Sequence, residues 1–335
     1  MKSTQTFTED VLIIDDVNSF IDLLCHKIKK DVHKKLRKRG GVIGVSGGID
    51  SSVTLALAVK ALGNENVLAI MLPEKDSSSE SLQFGKLLAE QFNVKYHIEN
   101  ITDALKGFQC YSRRDKAVKR VFPEYDPGKH TFKIGQNKSS IETSLPSIFY
   151  ITLIDENGDE QKEKIPAPEF LQIVAASNFK QRTRMSMLYY YAESHHYAVI
   201  GTANKQEIYQ GFFVKNGDGS EDILAIGNLY KSQVYQLAHH LNIPEEIIQR
   251  TPTTDTYPAE QTQEEFFFQL PFRELDLLWY ACENKYDPKA VADVVNKTPE
   301  AVENIFRSFR RKQQTSDYLR KQPIMYDTTS SVTKP

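Results

Sequence analysis

Residues 42–51 read Val42-Ile43-Gly44-Val45-Ser46-Gly47-Gly48-Ile49-Asp50-Ser51. The apolar start of this stretch predicts a buried strand, and the helical pattern of Ser52 to Leu62 follows, closed by Gly63. The two adjacent glycines permit unusual backbone angles and a close approach by another molecule. Because backbone N–H groups at a helix start attract anions, we interpret Ser46 to Ser51 as a phosphate-binding loop. A tight turn capped by Ser or Asp is the alternative.

The loop matches neither of two common phosphate-binding patterns. It lacks the GxxxxGK[ST] pattern that holds a γ-phosphate for hydrolysis, and its spacing differs from the GxGxxG dinucleotide fingerprint. Its distinguishing residue is Asp50, whose carboxylate can hold Mg²⁺ against the β- and γ-phosphates of ATP. Those two phosphates leave together as pyrophosphate, which predicts chemistry at the α-phosphate.

Strands and helices alternate on both sides of the loop. The spacing predicts a helix from Val17 to Arg39, strands at Val67 to Leu72 and Val94 to Ile98, and a helix between these strands that ends near Phe92. Further along, the pattern predicts a strand at Ala198 to Ile200. Further helices are predicted at about 179–195, 230–241, 272–284, 288–296 and 299–320. This alternation predicts an α/β fold with a doubly wound, mainly parallel, Rossmann-like sheet and helices on both faces.

Residues of about 110–167 break the alternation, since Pro, Gly, Lys and Ser are frequent there. The run Ile148 to Ile154, followed by Asp155-Glu156-Asn157-Gly158, predicts a β-hairpin within this stretch. We therefore expect one domain over residues 1–323, with an insertion at about 110–167, and a disordered Ser/Thr-rich tail at 324–335.

Composition excludes several classes of protein. The net charge of -2 gives no global field to attract nucleic acid or an anionic membrane, and we find no segment of the length and apolarity that a spanning helix needs. Cys25, Cys110 and Cys282 are widely spaced, which argues against disulfides or a zinc site. We expect a cytoplasmic protein without nucleic-acid or membrane partners.

A second set of motifs lies in the other half of the chain. Gly201-Thr202-Ala203-Asn204-Lys205-Gln206-Glu207 follows the strand at 198–200, and Gly211-Phe212-Phe213-Val214-Lys215-Asn216-Gly217-Asp218-Gly219 comes next, with Asp222 and Lys231 beyond it. The carboxyl end of a parallel strand is where open α/β sheets bind ligands. Upstream lies the stretch Asn178 to Met185, and downstream lie Pro252-Thr253 and Gln261 to Glu265.

Together with the loop, these ordered motifs resemble the ammonia-dependent NAD synthetases, which belong to the N-type ATP-pyrophosphatases. The resemblance runs from about Val17 to Arg311, interrupted by the insertion. It implies a ligase that adenylates deamido-NAD with ATP and transfers the acyl group to ammonia, releasing AMP and pyrophosphate. It also implies a homodimer that binds the dinucleotide across the subunit interface. Since only about 40 residues precede the loop, we expect free ammonia rather than a fused amidase as the nitrogen source, unless a separate subunit supplies it.

The resemblance assigns roles to individual residues. It implies that ATP is bound by Gly44, Val45, Ser46, Gly47, Gly48, Ile49, Asp50, Ser51, Thr202, Lys231 and Thr253. It implies Mg²⁺ at Asp50 and Glu207, and both carboxylates suit a hard cation. Asp50 is catalytic in this reading, and Asp218 is hypothesised to orient or deprotonate ammonium. Each residue has a simpler alternative, such as a turn hydrogen bond or a solvated charge.

The implied dinucleotide contacts are Arg182, Lys215 and Asp222. At the C-terminus, the family's His-Lys-Arg is matched here only by Phe309-Arg310-Arg311, which keeps the charge and loses the His; Phe309 and Arg310 are the expected contacts. This departure and the long insertion lie on the substrate side. An amide ligase for another carboxylate therefore stays open, as does a nucleotide-binding protein without turnover. A role in tRNA modification is disfavoured by the net charge and cysteine spacing.

Overall fold

A computed structural model describes residues 6–136, 141, 148–254 and 256–326. The strands are β1 Gly41–Gly44, β2 Val67–Met71, β3 Lys95–Ile98, β4 Thr131–Gln136, β5 Phe149–Ile154, β6 Glu160–Lys164, β7 Ala198–Gly201 and β8 Ile223–Leu224. The helices are α1 Val17–Lys30, α2 Ile49–Leu62, α3 Ser79–Gln91, α4 Thr102–Gly107, α5 Cys110–Val121, α6 Ala167–His195, α7 Lys205–Gln210, α8 Lys231–His240, α9 Glu245–Ile248, α10 Phe272–Glu283, α11 Pro288–Ala292 and α12 Pro299–Arg320.

The central sheet has the order β3-β2-β1-β7-β8, and its strands pair in parallel. Along these strands, alternate side chains pack into two different hydrophobic cores, one on each face of the sheet. Ile43 and Ala69 pack with α1, α2 and α8, whereas Val42 and Leu68 pack with α4 and α6. Both faces of the sheet are therefore covered by helices, which confirms the predicted doubly wound α/β fold.

A second sheet, which we call the antiparallel sheet, has the order β4-β5-β6. Strands β5 and β6 form the hairpin that the sequence predicts. Strand β4 was not predicted, and it pairs with β5 so that Gln136 lies opposite Phe149. Helix α5 lies within the predicted insertion but packs along α6 against the main domain. The extra structure thus consists mainly of the antiparallel sheet.

Several predicted boundaries differ from the structure. Helix α6 begins at Ala167 rather than near Phe179, and the first predicted helix continues beyond α1 as a π-helical turn over Asp31–Lys35. Helix α11 ends at Ala292, four residues before the predicted end. Residues 324–326 of the predicted tail have no regular structure and are exposed, and residues 327–335 lie outside the described residues.

Candidate active site

The predicted phosphate loop connects β1 to α2 at the carboxyl edge of the parallel sheet. Gly47 has a φ of +75°, and a Cβ atom there would lie 2.5 Å from the carbonyl oxygen of Ser81. Gly48 is the N-cap of α2, and the Ser51 hydroxyl donates to its carbonyl oxygen at 3.0 Å. The loop therefore needs glycine at position 47, and it aims the first-turn N–H groups of α2 into the site, where an anion is favoured.

Asp50 and Lys231 form an ion pair at the start of α2. Lys231 Nζ donates to Asp50 Oδ2, and the Lys231 side chain is only 1% exposed. Burial lowers the pKa of Lys231, but the charges of Asp50 and Glu207 outweigh this and raise it. Lys231 is thus held as a cation beside the phosphate loop.

Glu207 is placed next to this pair by a capping box at the start of α7. Its backbone N–H donates to Asn204 Oδ1 at 3.2 Å, and its carboxylate accepts from the Asn204 N–H at 2.9 Å. The Asn204 amide also donates to Asp50 Oδ1 at 3.3 Å, so one side chain connects both carboxylates. Burial, and then the negative charge of Asp50, raises the pKa of Glu207 to about 8.

The donor set at this point fits a divalent cation. Burial and the neighbouring Asp50 carboxylate both raise the pKa of Glu207, and a cation bound beside the two carboxylates would offset the second of these effects. Within residues 6–136, 141, 148–254 and 256–326 no cluster of three or more His, Cys, Asp or Glu has ligand geometry. Two carboxylates suit Mg²⁺, which commonly keeps waters and substrate phosphate oxygens as its other ligands.

A cleft of about 730 Å³ opens from the loop and runs along α6. Most of the predicted site residues line it, although they come from distant parts of the chain. These are Gly44, Val45, Ser46, Gly48, Ile49, Asp50, Ser51, Arg182, Thr202, Glu207, Lys215, Asp218, Lys231 and Thr253. Gly47 is not among the lining residues, but a Cβ atom there would collide with the Ser81 carbonyl oxygen of α3, so the loop backbone passes close to that helix.

Asp218 lies on the cleft in a loop that only glycine neighbours allow. A Cβ atom at Gly219 would lie 2.2 Å from the Phe213 ring, and one at Gly217 would lie 3.0 Å from Gln181 Cβ. Asp218 Oδ1 accepts a hydrogen bond from the Val214 N–H at 2.7 Å. Burial raises the pKa of Asp218 to about 6, so its carboxylate titrates near neutral pH.

Two of the predicted dinucleotide contacts lie side by side. Arg182 Nε donates to the Lys215 carbonyl oxygen at 3.3 Å. Lys215 Nζ donates to the carbonyl oxygens of Tyr318 and Lys321, at 2.9 and 3.1 Å, at the end of α12. The Lys215 cation therefore caps the C-terminus of the last helix at the border of the cleft.

Two predicted dinucleotide contacts, Asp222 and Arg310, do not line the cleft. Asp222 accepts hydrogen bonds from the Tyr189 hydroxyl at 3.1 Å and from the Val199 N–H at 2.8 Å. Arg310 faces solvent, 3.5 Å from Glu303. For Asp222 and Arg310 ligand contact remains a prediction.

The expectation for Phe309 does not fit this structure. Phe309 is 1% exposed, and its ring packs against Trp279 at a centroid distance of 5.0 Å. Helix α12 turns this side toward α10, because an aromatic ring stabilises the chain more when it is buried than when it is exposed. The residue belongs to the core between the two helices.

A buried ion network beside the cleft was not predicted from the sequence. Lys180 Nζ lies 2.8 Å from both Glu74 and Asp76, and Arg114 binds Asp76 at 2.5 Å. The network connects α5, α6 and the segment after β2. Lys180 occupies a fixed place in the Asn178 to Met185 motif, but its partners lie about a hundred residues away, so the sequence could not identify them.

Two arginines and one acid on the cleft were also not predicted. Arg184 donates to the Leu72 carbonyl oxygen and to Gln181 Oε1, at 3.3 and 3.4 Å. Arg250 also lines the cleft and donates to Ser81 Oγ at 3.1 Å. Glu221 has a buried carboxylate oxygen without a hydrogen-bond partner among the described residues. Only Arg184 had a sequence signal, since it stands in the Asn178 to Met185 motif.

Two histidines and a run of three phenylalanines have structural places that the fold makes clear. His195 and His240 each bond to a carbonyl oxygen four residues earlier, so they serve the ends of α6 and α8. In the run Phe266-Phe267-Phe268, the first two rings line the cleft and the third is core. The cysteines are free, and among the described residues no helix has the length and apolar character to cross a membrane.

The parallel sheet and the loop between β1 and α2 define the chain as a Rossmann-like α/β nucleotide-binding protein. A family model described as NAD synthase matches residues 20–122 and 138–323. The chain therefore belongs to the NAD synthase family. Residues 123–137, which contain β4, lie outside the match.

Individual relatives agree with this assignment. The chain is 43% identical over 326 residues to the NH(3)-dependent NAD(+) synthetase of Rhizobium meliloti (strain 1021), covering 97% of this chain and 96% of the relative. Two solved structures share the fold at 24% identity. Each match covers 94% of this chain and 100% of the solved chain. They are an NMN synthetase from Francisella tularensis, with a TM-score of 0.63, and an NH3-dependent NAD synthetase from Campylobacter jejuni, with a TM-score of 0.61.

Proposed function

We propose that this chain catalyses the ATP-dependent amidation of deamido-NAD by ammonia, which yields NAD, AMP and pyrophosphate. The observation that carries the proposal is the convergence of Asp50, Glu207 and Lys231 at the phosphate loop of an NAD synthase family member. Relatives at 31–43% identity are named NH(3)-dependent NAD(+) synthetase. The alternative of a nucleotide-binding protein without turnover is disfavoured, because both acidic residues are retained at the loop.

The reaction has two steps. In the first, a carboxylate oxygen of the nicotinate group attacks the α-phosphorus of ATP, the bond to the bridging oxygen breaks, and pyrophosphate leaves with that electron pair. In the second, the nitrogen of ammonia attacks the acyl carbon, a proton is lost from nitrogen, and AMP leaves. The loop N–H groups and the Lys231 cation face the phosphates and stabilise the charge on the leaving pyrophosphate.

Asp50 and Glu207 would hold Mg²⁺ in this mechanism. A bound Mg²⁺ would neutralise charge on the β- and γ-phosphates of ATP and assist the departure of pyrophosphate. The pKa of Glu207, raised to about 8, would fall when a cation binds beside it, since an opposite charge favours the ionised form. The Asn204 amide keeps both carboxylates in place through its contacts with each.

We hypothesise that Asp218 accepts the proton that ammonium must lose before its nitrogen can attack. The pKa of this carboxyl group, about 6, keeps it ionised at neutral pH and lets it take up a proton readily. Arg184 lies on the same cleft, and its charge favours the ionised form of Asp218. We further propose a cytoplasmic homodimer that uses free ammonia; light scattering of the purified protein tests the dimer.

The test is conversion of ATP to AMP by the purified chain with Mg²⁺, ammonium and a panel of acids. We expect pyrophosphate release and NAD formation with deamido-NAD, and little release with nicotinate mononucleotide, aspartate or glutamate. Glutamine should not replace ammonium. If deamido-NAD elicits no pyrophosphate while another acid does, the chain is an amide ligase for that other carboxylate, and the proposal is wrong.

A further inference from the structure

Asp276 on α10 is a fully buried carboxylate that does not line the cleft and has no part in the mechanism above. Its Oδ2 accepts a hydrogen bond from the Ser232 N–H at 2.7 Å, and its Oδ1 accepts one from Gln206 Nε2 at 3.0 Å. A buried carboxylate is costly unless such bonds compensate it. Each partner is the sequence neighbour of a proposed site residue, since Ser232 follows Lys231 and Gln206 precedes Glu207.

Helix α10 contacts the start of α8 at two points. The Ser232 N–H belongs to the first turn of α8, where N–H groups have no partner within the helix and a carboxylate is favoured. One turn before Asp276, the Phe272 ring lies 5.0 Å from Lys231 Nζ. These two contacts fix the turn from which Lys231 reaches Asp50.

On its other side, Asp276 is connected to α12 through two buried amides of α7. Gln206 Oε1 accepts from Gln210 Nε2 at 2.9 Å, and Gln210 Oε1 accepts from Lys312 Nζ at 3.3 Å. Lys312 Nζ also donates to the Phe267 carbonyl oxygen at 3.1 Å. We call Gln206 and Gln210 the amide pair. It connects a carboxylate at one end to an ammonium group at the other.

The charges at the two ends set the direction of the amide pair. An ionised carboxylate only accepts hydrogen bonds and an ammonium group only donates them, so each amide turns its NH₂ toward Asp276 and its carbonyl oxygen toward Lys312. Burial raises the pKa of Asp276, and the hydrogen bonds from Ser232 and Gln206 counteract this by favouring the ionised form. Burial lowers the pKa of Lys312 to about 8, so it is a cation at pH 7.

We infer that Asp276 is a positioning residue, which holds the first turns of α7 and α8 in place at the phosphate loop. Through Gln206 it fixes Glu207, and through the Ser232 N–H it fixes Lys231. The inference rests on the proposed function, in which Glu207 holds Mg²⁺ and Lys231 faces the phosphates of ATP. Groups that orient a metal ligand from behind commonly contribute about 10–100-fold to metal affinity or activity.

The decisive variant is Asp276→Asn, measured at pH 7. The Asn oxygen can still accept from the Ser232 N–H, but its NH₂ then faces the NH₂ of Gln206. Reversing the amide pair would relieve this contact only by turning the Gln210 NH₂ against the Lys312 ammonium group. We expect kcat to fall about tenfold or more. The Kd for ATP from calorimetry, without deamido-NAD, should also gain about fivefold less from added Mg²⁺ than in the unaltered protein, because Glu207 is displaced.

A second substitution separates positioning from simple loss of packing. Lys312→Met keeps an unbranched apolar stem and removes the ammonium group, so the reversed amide pair no longer meets a donor. The double variant Asp276→Asn/Lys312→Met should therefore have a kcat at least about threefold above that of Asp276→Asn alone, and it should regain most of the Mg²⁺ effect on ATP binding. Lys312→Met alone should lower kcat less than about threefold, since it leaves the carboxylate of Asp276 in place.

The matched control is Glu274→Gln, which removes a carboxylate from the same helix. Glu274 pairs with Lys297 at 3.0 Å, away from the cleft, so kcat and the Mg²⁺ effect should stay within about twofold of the unaltered protein. Thermal melts establish that each variant is folded. If Asp276→Asn does not fold, Gln206→Met becomes decisive, because it keeps the bond between Asp276 and the Ser232 N–H. It should reduce the Mg²⁺ effect about fivefold.

Two results would overturn the inference. One is a folded Asp276→Asn variant whose kcat and Mg²⁺ effect both stay within twofold of the unaltered protein, which would leave Asp276 a purely structural role. The other is a double variant whose loss equals the product of the two single losses, since the amide pair would then transmit nothing. Failure of the proposed function is distinguishable, because the unaltered protein would form no NAD from deamido-NAD while its Mg²⁺-dependent binding of ATP still required Asp276.

Discussion

The two ends of the cleft are formed by different structural elements and by different kinds of side chain. At the loop end, the carboxyl edges of parallel strands bring Asp50, Glu207 and Lys231 together, and the geometry depends on glycine and on charge. At the other end of the cleft, which we call the outer end, the Phe149 ring of the antiparallel sheet stacks on Phe170 of α6. Phosphates demand fixed donors and counter-charges, whereas aromatic rings contribute apolar contact area. Substitutions at the loop end should therefore affect turnover strongly, and those at the outer end should affect binding moderately.

The largest effect is expected from Asp50→Asn, which removes a carboxylate from the proposed metal site and the counter-charge of buried Lys231. We expect kcat/KM to fall by about 10³-fold or more in a pyrophosphate-release assay. The matched control is Asp22→Asn, since Asp22 pairs with Lys60 at 3.3 Å on the surface and should matter little. Retention of more than a tenth of the activity by Asp50→Asn would show that the loop end tolerates change as well as the outer end does.

Asp218→Asn should have the next largest effect. The amide retains the hydrogen bond from the Val214 N–H but cannot take up a proton, so we expect about a 10²-fold loss of turnover at low ammonium. Burial raises the pKa of Asp218 above the ordinary 3.8 to about 6, so the group gains its proton as pH falls through 6. The ratio of unaltered to variant activity should therefore shrink below pH 6. A ratio that is independent of pH, or full turnover by the variant, would remove the proton-acceptor role.

Glu221→Gln should stabilise the protein. This result would show that a buried acidic group at the loop end lowers the free energy of unfolding. Burial, with the charges of Asp218 and Glu207, raises the pKa of Glu221 from 4.5 to about 8. The folded state thus binds a proton that the unfolded state has lost, and the free energy of unfolding falls as pH rises from about 4.5 to 8. In urea titrations we expect a gain of about 2 kcal/mol at pH 8.5 and almost none at pH 4. Exposed Glu193→Gln serves as control, and an equal gain at both pH values would argue against this origin.

The smallest effect is expected at the outer end, from Lys133→Ala. Lys133 on β4 lies 3.4 Å from Glu265 and 3.7 Å from Glu160, and Glu265 is three residues from Thr262, which forms a β-bridge with Thr253. A partly exposed ion pair contributes about 0.2–1 kcal/mol, so the KM for ATP should rise about two- to fourfold with kcat unchanged. The difference should diminish in high salt. Lys162→Ala on β6 is the control. If the KM for ATP rises equally in that variant, Lys133 does not specifically support this β-bridge.

Much of the parallel core could be predicted from sequence, because its signals are local. The apolar run before Ser46, the paired glycines and the helical pattern of Ser52 to Leu62 each reflect a short-range preference. Strand β4 escaped prediction, since its alternation is interrupted by Gly135 and its identity depends on pairing with β5. Strand β8 has only two residues, and it forms because these residues pair with the edge of β7.

For the site, the order of motifs named the loop, Thr202, Glu207, Lys215, Asp218, Lys231 and Thr253, and the structure brings them onto one cleft. The buried network around Lys180 was not predictable, because a lysine shows its partner only when the chain has folded. Phe309 illustrates the opposite error, since a position matched to a motif turned out to face the core.

The sequence by itself determined the doubly wound sheet and the phosphate loop, because periodicity, glycine and capping act within a few residues of one another. Only the tertiary structure decided that Asn204 connects Asp50 to Glu207, that Lys231 is buried as a cation, and that the antiparallel sheet lines the outer cleft. Those features depend on burial and on contacts between residues far apart in the chain. Burial and distant contacts set the charge state of each group, and no local pattern records them.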